Sequence, residues 1–156
     1  MSQPSLIDVA VASTEPVVLE VFGIPQPQGN KTGFYNKKTQ RVVLVEGRRP
    51  EARAAFHSWR DGVEDAARRI QEQHELALCN VPCKLTIVFR LPKPKSAPKR
   101  RLWPDSRPDI DKLTRAVADA LTGTLISDDS RICQLDITKV FAGERPPGAT
   151  ITLEVL

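Results

Sequence analysis

One short helix framed by acidic residues constrains this chain more than any other feature of its sequence. Residues 107–123 read RPDIDKLTRAVADALTG, and their apolar side chains recur every three or four positions, as in a helix with one buried face. Pro108 before the pattern and Gly123 after it are typical of a helix start and a helix stop. The pair Asp128-Asp129 follows at once. The sequence therefore predicts a short helix with carboxylates near both of its ends.

Asp109 and Asp111 lie at the predicted start of this helix. Side chains two positions apart point about 200° apart inside a helix, so these two carboxylates could not share a ligand there. They can turn toward one space if Asp109 is the N-cap residue and Asp111 lies in the first turn. Clustered carboxylates repel one another unless a cation lies between them. We therefore expect both residues, together with Asp128 and Asp129, to surround a hard cation such as Mg²⁺.

The basic charge of the chain is unevenly distributed. The formal net charge is +4, but residues 90–107 contain seven basic residues against the single acid Asp105. A second basic stretch, between residues 31 and 49, is opposed only by Glu46. Positive flanks around an acidic centre suit a polyanionic substrate that reacts at a bound metal. This distribution favours an enzyme that acts on nucleic acid.

Residues 92–107 are expected to form a mobile basic loop. Four prolines interrupt this segment, and most of its other residues are polar or basic, so it cannot hold a regular helix or strand. A loop of this length in a compact domain is usually functional or disordered, and its charge favours contact with phosphates. The basic residues expected to contact a nucleic-acid backbone are Lys31, Lys93, Lys95, Lys99, Arg100 and Arg101.

Periodicity elsewhere predicts an α+β fold. Alternating apolar residues predict strands over residues 17–24, 83–91, 133–141 and 151–155, and a hairpin that joins residues 34–36 to 41–45. A second helix is predicted from Pro50 to about Gln73. We expect both helices to pack on one face of a small mixed sheet. Residues 1–15 lack a sustained pattern and are predicted to be a loose tail before a single domain over residues 16–156.

The cysteine count and the absence of long apolar runs indicate in which cellular compartment the protein is found. Three cysteines are an odd number and do not make a secreted disulfide framework. His74, Cys79 and Cys83 have a faintly zinc-like spacing, but buried reduced thiols are the favoured interpretation, also for Cys133. No run approaches the roughly 18 apolar residues that a membrane span needs, and no leader pattern is present. We expect a cytoplasmic protein without a membrane partner.

Two strings in the acidic region resemble a known family. RPDIDKLTRAVADALTG followed by DDSRICQLDITK is similar to the signature of the RusA-type Holliday junction resolvases, which are common in phages and prophages. FGIPQPQG and FRLPKP also resemble this family, so the similarity extends from about residue 17 to the C-terminus. It implies a RusA-like homodimer that resolves four-way DNA junctions by paired nicks. It also implies dependence on Mg²⁺, with Mn²⁺ as a substitute.

The resemblance assigns roles to individual residues. The catalytic acids of the family fall on Asp109, Asp111 and Asp129 of this sequence. A family lysine six positions after the first aspartate is matched by Arg115, whose planar guanidinium can clamp a phosphate but cannot transfer a proton. Lys139 matches another family lysine and is expected to contact the DNA backbone.

Two other classes of protein remain open. A basic DNA-binding protein without catalytic activity would explain the loops, but not carboxylates placed where they repel phosphate. A Mg²⁺-dependent enzyme acting on small phosphates would explain the acids, but it would not need so basic a loop, and the sequence has no Gly-rich phosphate cradle. Metal-dependent cleavage separates a nuclease from the first class, and steep salt dependence of DNA binding argues against the second.

Overall fold

The computed structural model describes residues 15–29, 31–47 and 49–156, without the side chains of residues 31, 32, 45 and 46. The predicted tail therefore lies outside the described residues, except for Glu15, and so does the side chain of Lys31. The strands are β1 (Val17–Phe22), β2 (Lys31–Asn36), β3 (Arg41–Glu46), β4 (Cys83–Leu91), β5 (Ile132–Phe141) and β6 (Gly148–Val155). The helices are α1 (Pro50–Gln73) and α2 (Ile110–Leu121). A 3₁₀ turn over Asp129–Arg131 precedes β5.

Four strands form a mixed sheet in the order β1-β6-β4-β5. Strands β4 and β5 are parallel, whereas β6 is antiparallel to both β1 and β4. The connection from β4 to β5 contains the basic loop and α2, as a parallel pair requires a long crossover. Strands β2 and β3 form a separate antiparallel hairpin. The predicted α+β fold with a small mixed sheet is confirmed.

The two helices cover the apolar face of this sheet. Trp59 and Val63 of α1 are buried against it, as are Leu113, Val117 and Leu121 of α2. Fully burying one such aliphatic or aromatic side chain contributes about 1.5–3 kcal/mol. The helical spacing of these residues therefore holds α2 in place, and with it the acidic residues at the helix start.

The strand ends differ slightly from the prediction. β1 ends at Phe22 rather than at residue 24, because Gly23 adopts a φ of 123° that an extended strand does not allow. β6 begins at Gly148, three residues before the predicted start. Its first residues, Gly148 and Ala149, are small and buried, so they gave no alternating pattern.

The opposite face of the sheet holds a buried arginine, Arg90, that is paired with the exposed Glu20. Arg90 of β4 is 2% exposed, and its Nη2 lies 3.0 Å from Oε2 of Glu20 on β1. Its Nη1 donates to Oγ1 of Thr150 on β6 at 2.7 Å, and Nε donates to the carbonyl oxygen of Pro146 at 3.3 Å. Arg90 therefore ties strands together and is not available to a phosphate. The basic stretch that follows it presents correspondingly less charge than the sequence suggests.

The three cysteines are free thiols, but they are not all buried. Cys79 and Cys83 are buried, whereas Cys133 is exposed, so the prediction of a buried thiol is wrong for Cys133. Cys133 lies on the edge strand β5, where the pairing with β4 passes over it at a register shift. Burial, with a smaller contribution from Cys79, raises the pKa of the Cys83 thiol to about 11. No helix in the described ranges is both long enough and apolar enough to cross a membrane.

Candidate active site

Asp109 lies at the start of α2, where the sequence placed it. It is the N-cap residue, with extended φ and ψ of −71° and 137°, and Ile110 is the first helical residue. Its side chain does not cap the helix. The carboxylate instead pairs with Lys112, whose Nζ lies 3.2 Å from Oδ2 of Asp109. Residues at i and i+3 are neighbours on a helix surface, which explains this partner.

Asp111 lines a cavity between α2 and the edge strand β5. This β5 cavity has a volume of about 400 Å³ and is also lined by Arg115 and Asp129. The remaining wall is largely apolar and consists of Ile110, Thr114, Ala118, Ile132, Leu135 and Ile137. The structure thus brings two of the three predicted catalytic acids and the predicted phosphate clamp to one cavity.

Asp109 lines a different cavity. This loop cavity has a volume of about 590 Å³ and lies between the start of α2 and the segment after β1. Its other lining residues are Gln26, Pro27, Gln28, Gly29, Arg107, Pro108 and Lys112. Asp109 and Asp111 therefore line different cavities in this structure, and Lys112 pairs with the first of them.

The separation of the acids leaves two carboxylates on the β5 cavity for a metal. Within residues 15–29, 31–47 and 49–156, no three His, Cys, Asp or Glu side chains lie close enough together to hold an ion. Mg²⁺ in enzymes is commonly bound through one or two carboxylates, with waters and substrate phosphates as the other ligands. Asp111 and Asp129 supply such hard oxygen donors on one cavity, so the residues fit this chemistry. The Mg²⁺ site stays a prediction.

The two acids of the pair before β5 have different environments. The carboxylate of Asp128 accepts a hydrogen bond from the backbone nitrogen of Ser130 at 2.9 Å and caps the 3₁₀ turn. Hydrogen bonding to Ser130 holds the pKa of Asp128 below its usual range. Asp128 lines neither the β5 cavity nor the loop cavity, whereas Asp129 lines the first. Asp129 is therefore the better candidate ligand, as the resemblance implied.

Lys139 connects β5 to the segment before Asp109. Its Nζ donates to the carbonyl oxygens of Ser106 and Pro108, at 2.9 and 3.0 Å. An ammonium group has three donors, so these two bonds leave only one for another partner. The expected contact of Lys139 with DNA stays a prediction. Its bonds to Ser106 and Pro108 fix the position of the chain just before the N-cap residue of α2.

The comparison with protein families gives one match that covers this whole region. The model of the family described as Endodeoxyribonuclease RusA matches residues 24–154, which is most of the chain. The chain belongs to the RusA endodeoxyribonuclease family. The resemblance of the acidic region is thereby confirmed, and membership implies an endonuclease that resolves branched DNA.

Other comparisons add little to the RusA assignment. No match was found among curated proteins. One solved structure that matches is the bifunctional IspDF from Campylobacter jejuni, at 14% identity. That match covers 90% of this chain and 42% of that protein, with a TM-score of 0.25. A score this low supports no argument about fold or function.

The basic loop of this RusA chain is braced by two of its own cations. Lys93 Nζ donates to the carbonyl oxygens of Lys99 and Arg101, at 3.2 and 2.8 Å. Arg101 donates to Oδ1 of Asp105 at 2.8 Å and to Oγ of Ser106 at 2.9 Å, and this pairing lowers the pKa of Asp105. Both cations also lie within 6 Å of the Phe141 ring centre, at 5.3 and 5.9 Å.

Three further cations of this loop, apart from Arg107 on the loop cavity, are free to meet a ligand. Lys95, Lys99 and Arg100 are exposed, and within the described ranges their side chains have no hydrogen-bond or ion-pair partner. Predicted phosphate contacts of Lys93 and Arg101 would compete with the bonds that brace the loop. We therefore expect the three unpaired cations to carry most of the contact between this loop and DNA.

Sequence reasoning missed two residues of the site. Lys112 was not singled out, although its i+3 spacing from Asp109 was a usable signal. Gln28 had no such signal, because its role depends on a contact across the fold. Its backbone nitrogen donates to the carbonyl oxygen of Lys112 at 2.9 Å, which closes the loop cavity against α2.

Proposed function

We propose that this chain resolves four-way DNA junctions by Mg²⁺-dependent hydrolysis of phosphodiester bonds. The observation that carries this proposal is the β5 cavity, where Asp111, Asp129 and Arg115 lie together in a chain of the RusA family. Two carboxylates suit a divalent cation and a guanidinium suits a phosphate oxygen. A DNA-binding protein without catalytic activity has no need of this combination.

Asp111 and Asp129 would hold Mg²⁺, which Mn²⁺ could replace. Bound there, the metal supplies activation of a water and stabilisation of charge at the scissile phosphate. Asp109 would join them once its bond to Lys112 is exchanged for other partners. This exchange costs little, because Asp109 and Lys112 are half and one-third exposed and exposed ion pairs contribute at most about 1 kcal/mol.

Arg115 would orient the scissile phosphate. It lies one helical turn after Asp111 and is exposed, so its guanidinium can reach a phosphate that enters the β5 cavity. The apolar side chains of Ile132, Leu135 and Ile137 line the same cavity. A phosphate held against these side chains would be partly shielded from water, which would strengthen its attraction to the guanidinium. A guanidinium does not act as a proton carrier in proteins, so the role of Arg115 would be positional and electrostatic.

The basic residues outside the cavity would hold the arms of the junction. Lys95, Lys99 and Arg100 are placed to contact the phosphate backbone, which gives affinity and orientation without base specificity. Paired symmetric nicks require two catalytic sites. A homodimer with two-fold symmetry supplies them for a junction of roughly two-fold symmetry. We propose that this reaction takes place in the cytoplasm, which is that of the bacterial host if a phage encodes the chain.

A cleavage assay with matched substrates tests the proposal. A synthetic four-way junction and a linear duplex of the same arm sequence would be incubated with the protein in Mg²⁺, in Mn²⁺ and in EDTA. We expect symmetric nicks in the junction with either metal, little cleavage of the duplex, and none in EDTA. Asp136→Asn is the control, because Asp136 lies on β5 outside both cavities and should cleave normally. Cleavage in EDTA, or equal cleavage of the duplex, would contradict the proposal.

A further inference from the structure

An aromatic side chain is exposed in the basic loop. Trp103 is 61% exposed, and its neighbour Leu102 is 76% exposed. The other tryptophan of the chain, Trp59, is 3% exposed in the core between α1 and the sheet. The indole of Trp103 therefore contributes little to the core, and its exposure requires another explanation.

The loop holds Trp103 between two fixed points. On one side, Arg101 is bonded to Asp105 and Ser106, and its carbonyl oxygen accepts from Lys93 Nζ at 2.8 Å. On the other side, Pro104 is buried. Lys139 fixes the same loop a few residues later through Ser106. Contacts within the protein therefore hold the backbone on both sides of Leu102 and Trp103.

The surroundings of Trp103 select one kind of ligand. Lys99 and Arg100 are exposed just before it in the chain, so a partner must offer negative charge together with a flat apolar face. A nucleotide does both, since its phosphate is an anion and every base has a π face on which an aromatic side chain can stack. In continuous duplex the base faces are covered by their neighbours. At a branch point or in a single strand they are not.

We propose that Trp103 stacks on an unpaired base of branched DNA. This inference rests on the proposed function. It adds a contact that distinguishes branched DNA from continuous duplex, which the contacts with phosphates do not. Trp103 precedes Asp109 by six residues, so the two lie within roughly 20 Å of each other even if the chain between them is extended. The stacked base would therefore lie close to the DNA that contacts the loop cavity, next to the branch point.

Binding measured in EDTA tests the inference without cleavage. Trp103→Ala should weaken binding to a four-way junction about tenfold, and binding to a matched linear duplex less than twofold. Trp103→Phe should restore most of the junction affinity, because a phenyl ring still stacks. Arg100→Ala is the contrasting variant, since it should weaken both complexes by the same factor. Emission of wild-type tryptophan should be quenched by the junction and by single-stranded DNA, but much less by duplex.

Three results would overturn the inference. They are unchanged junction affinity of Trp103→Ala, an equal loss for junction and duplex, and emission that no DNA quenches. Circular dichroism of each variant separates loss of binding from loss of fold. A wild-type protein that fails to cut junctions, but whose emission is quenched by them, would contradict the proposed function and leave this inference standing. Normal junction cleavage by the wild type, together with unchanged junction binding by Trp103→Ala, would support the proposed function and overturn this inference.

Discussion

The β5 cavity and the loop cavity, on two sides of the start of α2, treat their carboxylates differently. Asp109 in the loop cavity is paired with Lys112, 3.2 Å away. Within the described ranges, no lysine or arginine forms an ion pair with Asp111 or Asp129 in the β5 cavity. One acidic side chain is already neutralised by the protein, whereas the other two leave their charge for an added cation. This contrast points to the β5 cavity as the centre of the reaction.

The residues that line the two cavities also differ in polarity. The β5 cavity combines its charged groups with apolar side chains from α2 and the edge strand. The loop cavity combines Asp109 with two cations, Arg107 and Lys112, and with the amide side chains of Gln26 and Gln28. Cations and amides suit the sugar-phosphate backbone. The difference therefore favours chemistry in the β5 cavity and contact with neighbouring DNA in the loop cavity.

The largest effect on cleavage is expected from a substitution in the pair Asp128-Asp129. Asp129→Asn removes a carboxylate of the β5 cavity and should lower the rate of junction cleavage about 100-fold or more, as loss of a transition-state electrostatic contact does. Asp128→Asn should stay within roughly threefold of wild type, because its amide oxygen can still accept from Ser130. Single-turnover rates in Mg²⁺ measure both. An equal loss of cleavage rate in both variants would show that cleavage depends on the 3₁₀ turn as a whole rather than on the Asp129 carboxylate.

Arg115 should give the next largest effect. Arg115→Ala removes the phosphate clamp and should slow cleavage roughly 30-fold, whereas Arg115→Lys should keep appreciable activity because the family's own residue is restored. The fold should not change, since Arg115 is exposed and lies off the buried stripe of Leu113, Val117 and Leu121. Cleavage rates with thermal melting as a control measure this. If Arg115→Ala were active and Arg115→Lys inactive, Arg115 would not be the residue that binds the scissile phosphate.

Lys112 offers a direct test of the difference between the cavities. If its bond to Asp109 competes with the metal, Lys112→Gln should lower the Mg²⁺ concentration needed for half-maximal cleavage about threefold. Stability should change by less than about 1 kcal/mol, because the ion pair is partly exposed. A Mg²⁺ titration of the cleavage rate measures the effect. An unchanged requirement would mean that Asp109 takes no part in metal binding.

The smallest and most uniform effect is expected from the basic loop. Neutralising Lys95, Lys99 and Arg100 together should weaken binding to junction and duplex alike. The log-log dependence of binding on salt should become flatter by up to roughly 0.9 for each phosphate that is no longer neutralised. Neutralising Lys93 alone should instead disturb the loop, whose carbonyl oxygens it binds. Binding isotherms at several salt concentrations distinguish these cases, and an unchanged salt slope in the triple variant would exclude this loop from the DNA interface.

Local patterns predicted most of the secondary structure. The alternation of residues 83–91 and the helical spacing of residues 50–73 gave the bounds of β4 and α1, because burial of one face imposes these periods. The order of strands depends on pairing between distant residues, and no local pattern encodes it. The burial of Arg90 and the bonds of Lys139 to Ser106 and Pro108 were missed for the same reason.

The candidate site was predicted in part. Residue types and spacing predicted a cluster of Asp109, Asp111 and the pair Asp128-Asp129, and correctly placed Asp109 at the helix N-cap. The choice of Asp129 within the pair and the role of Arg115 were implied by the family resemblance and stay predictions. Residue types and spacing did not predict that Asp109 and Asp111 line different cavities, because this depends on the partner that each side chain finds. Lys112 provides that partner for Asp109. Whether the Asp109 carboxylate pairs with a lysine of the protein or with an added metal ion depends on contacts in the folded structure, which the sequence pattern does not encode.

Asp111→Asn tests the central claim most directly, because it separates metal chemistry from DNA affinity. The variant keeps the shape of the side chain and removes one negative charge from the β5 cavity. Junction binding would be measured in Ca²⁺ and junction cleavage in Mg²⁺, for wild type, Asp111→Asn and the control Asp136→Asn. We predict a loss of cleavage of about 100-fold or more for Asp111→Asn, with binding unchanged or tighter. Cleavage by Asp111→Asn at a near wild-type rate would contradict the account.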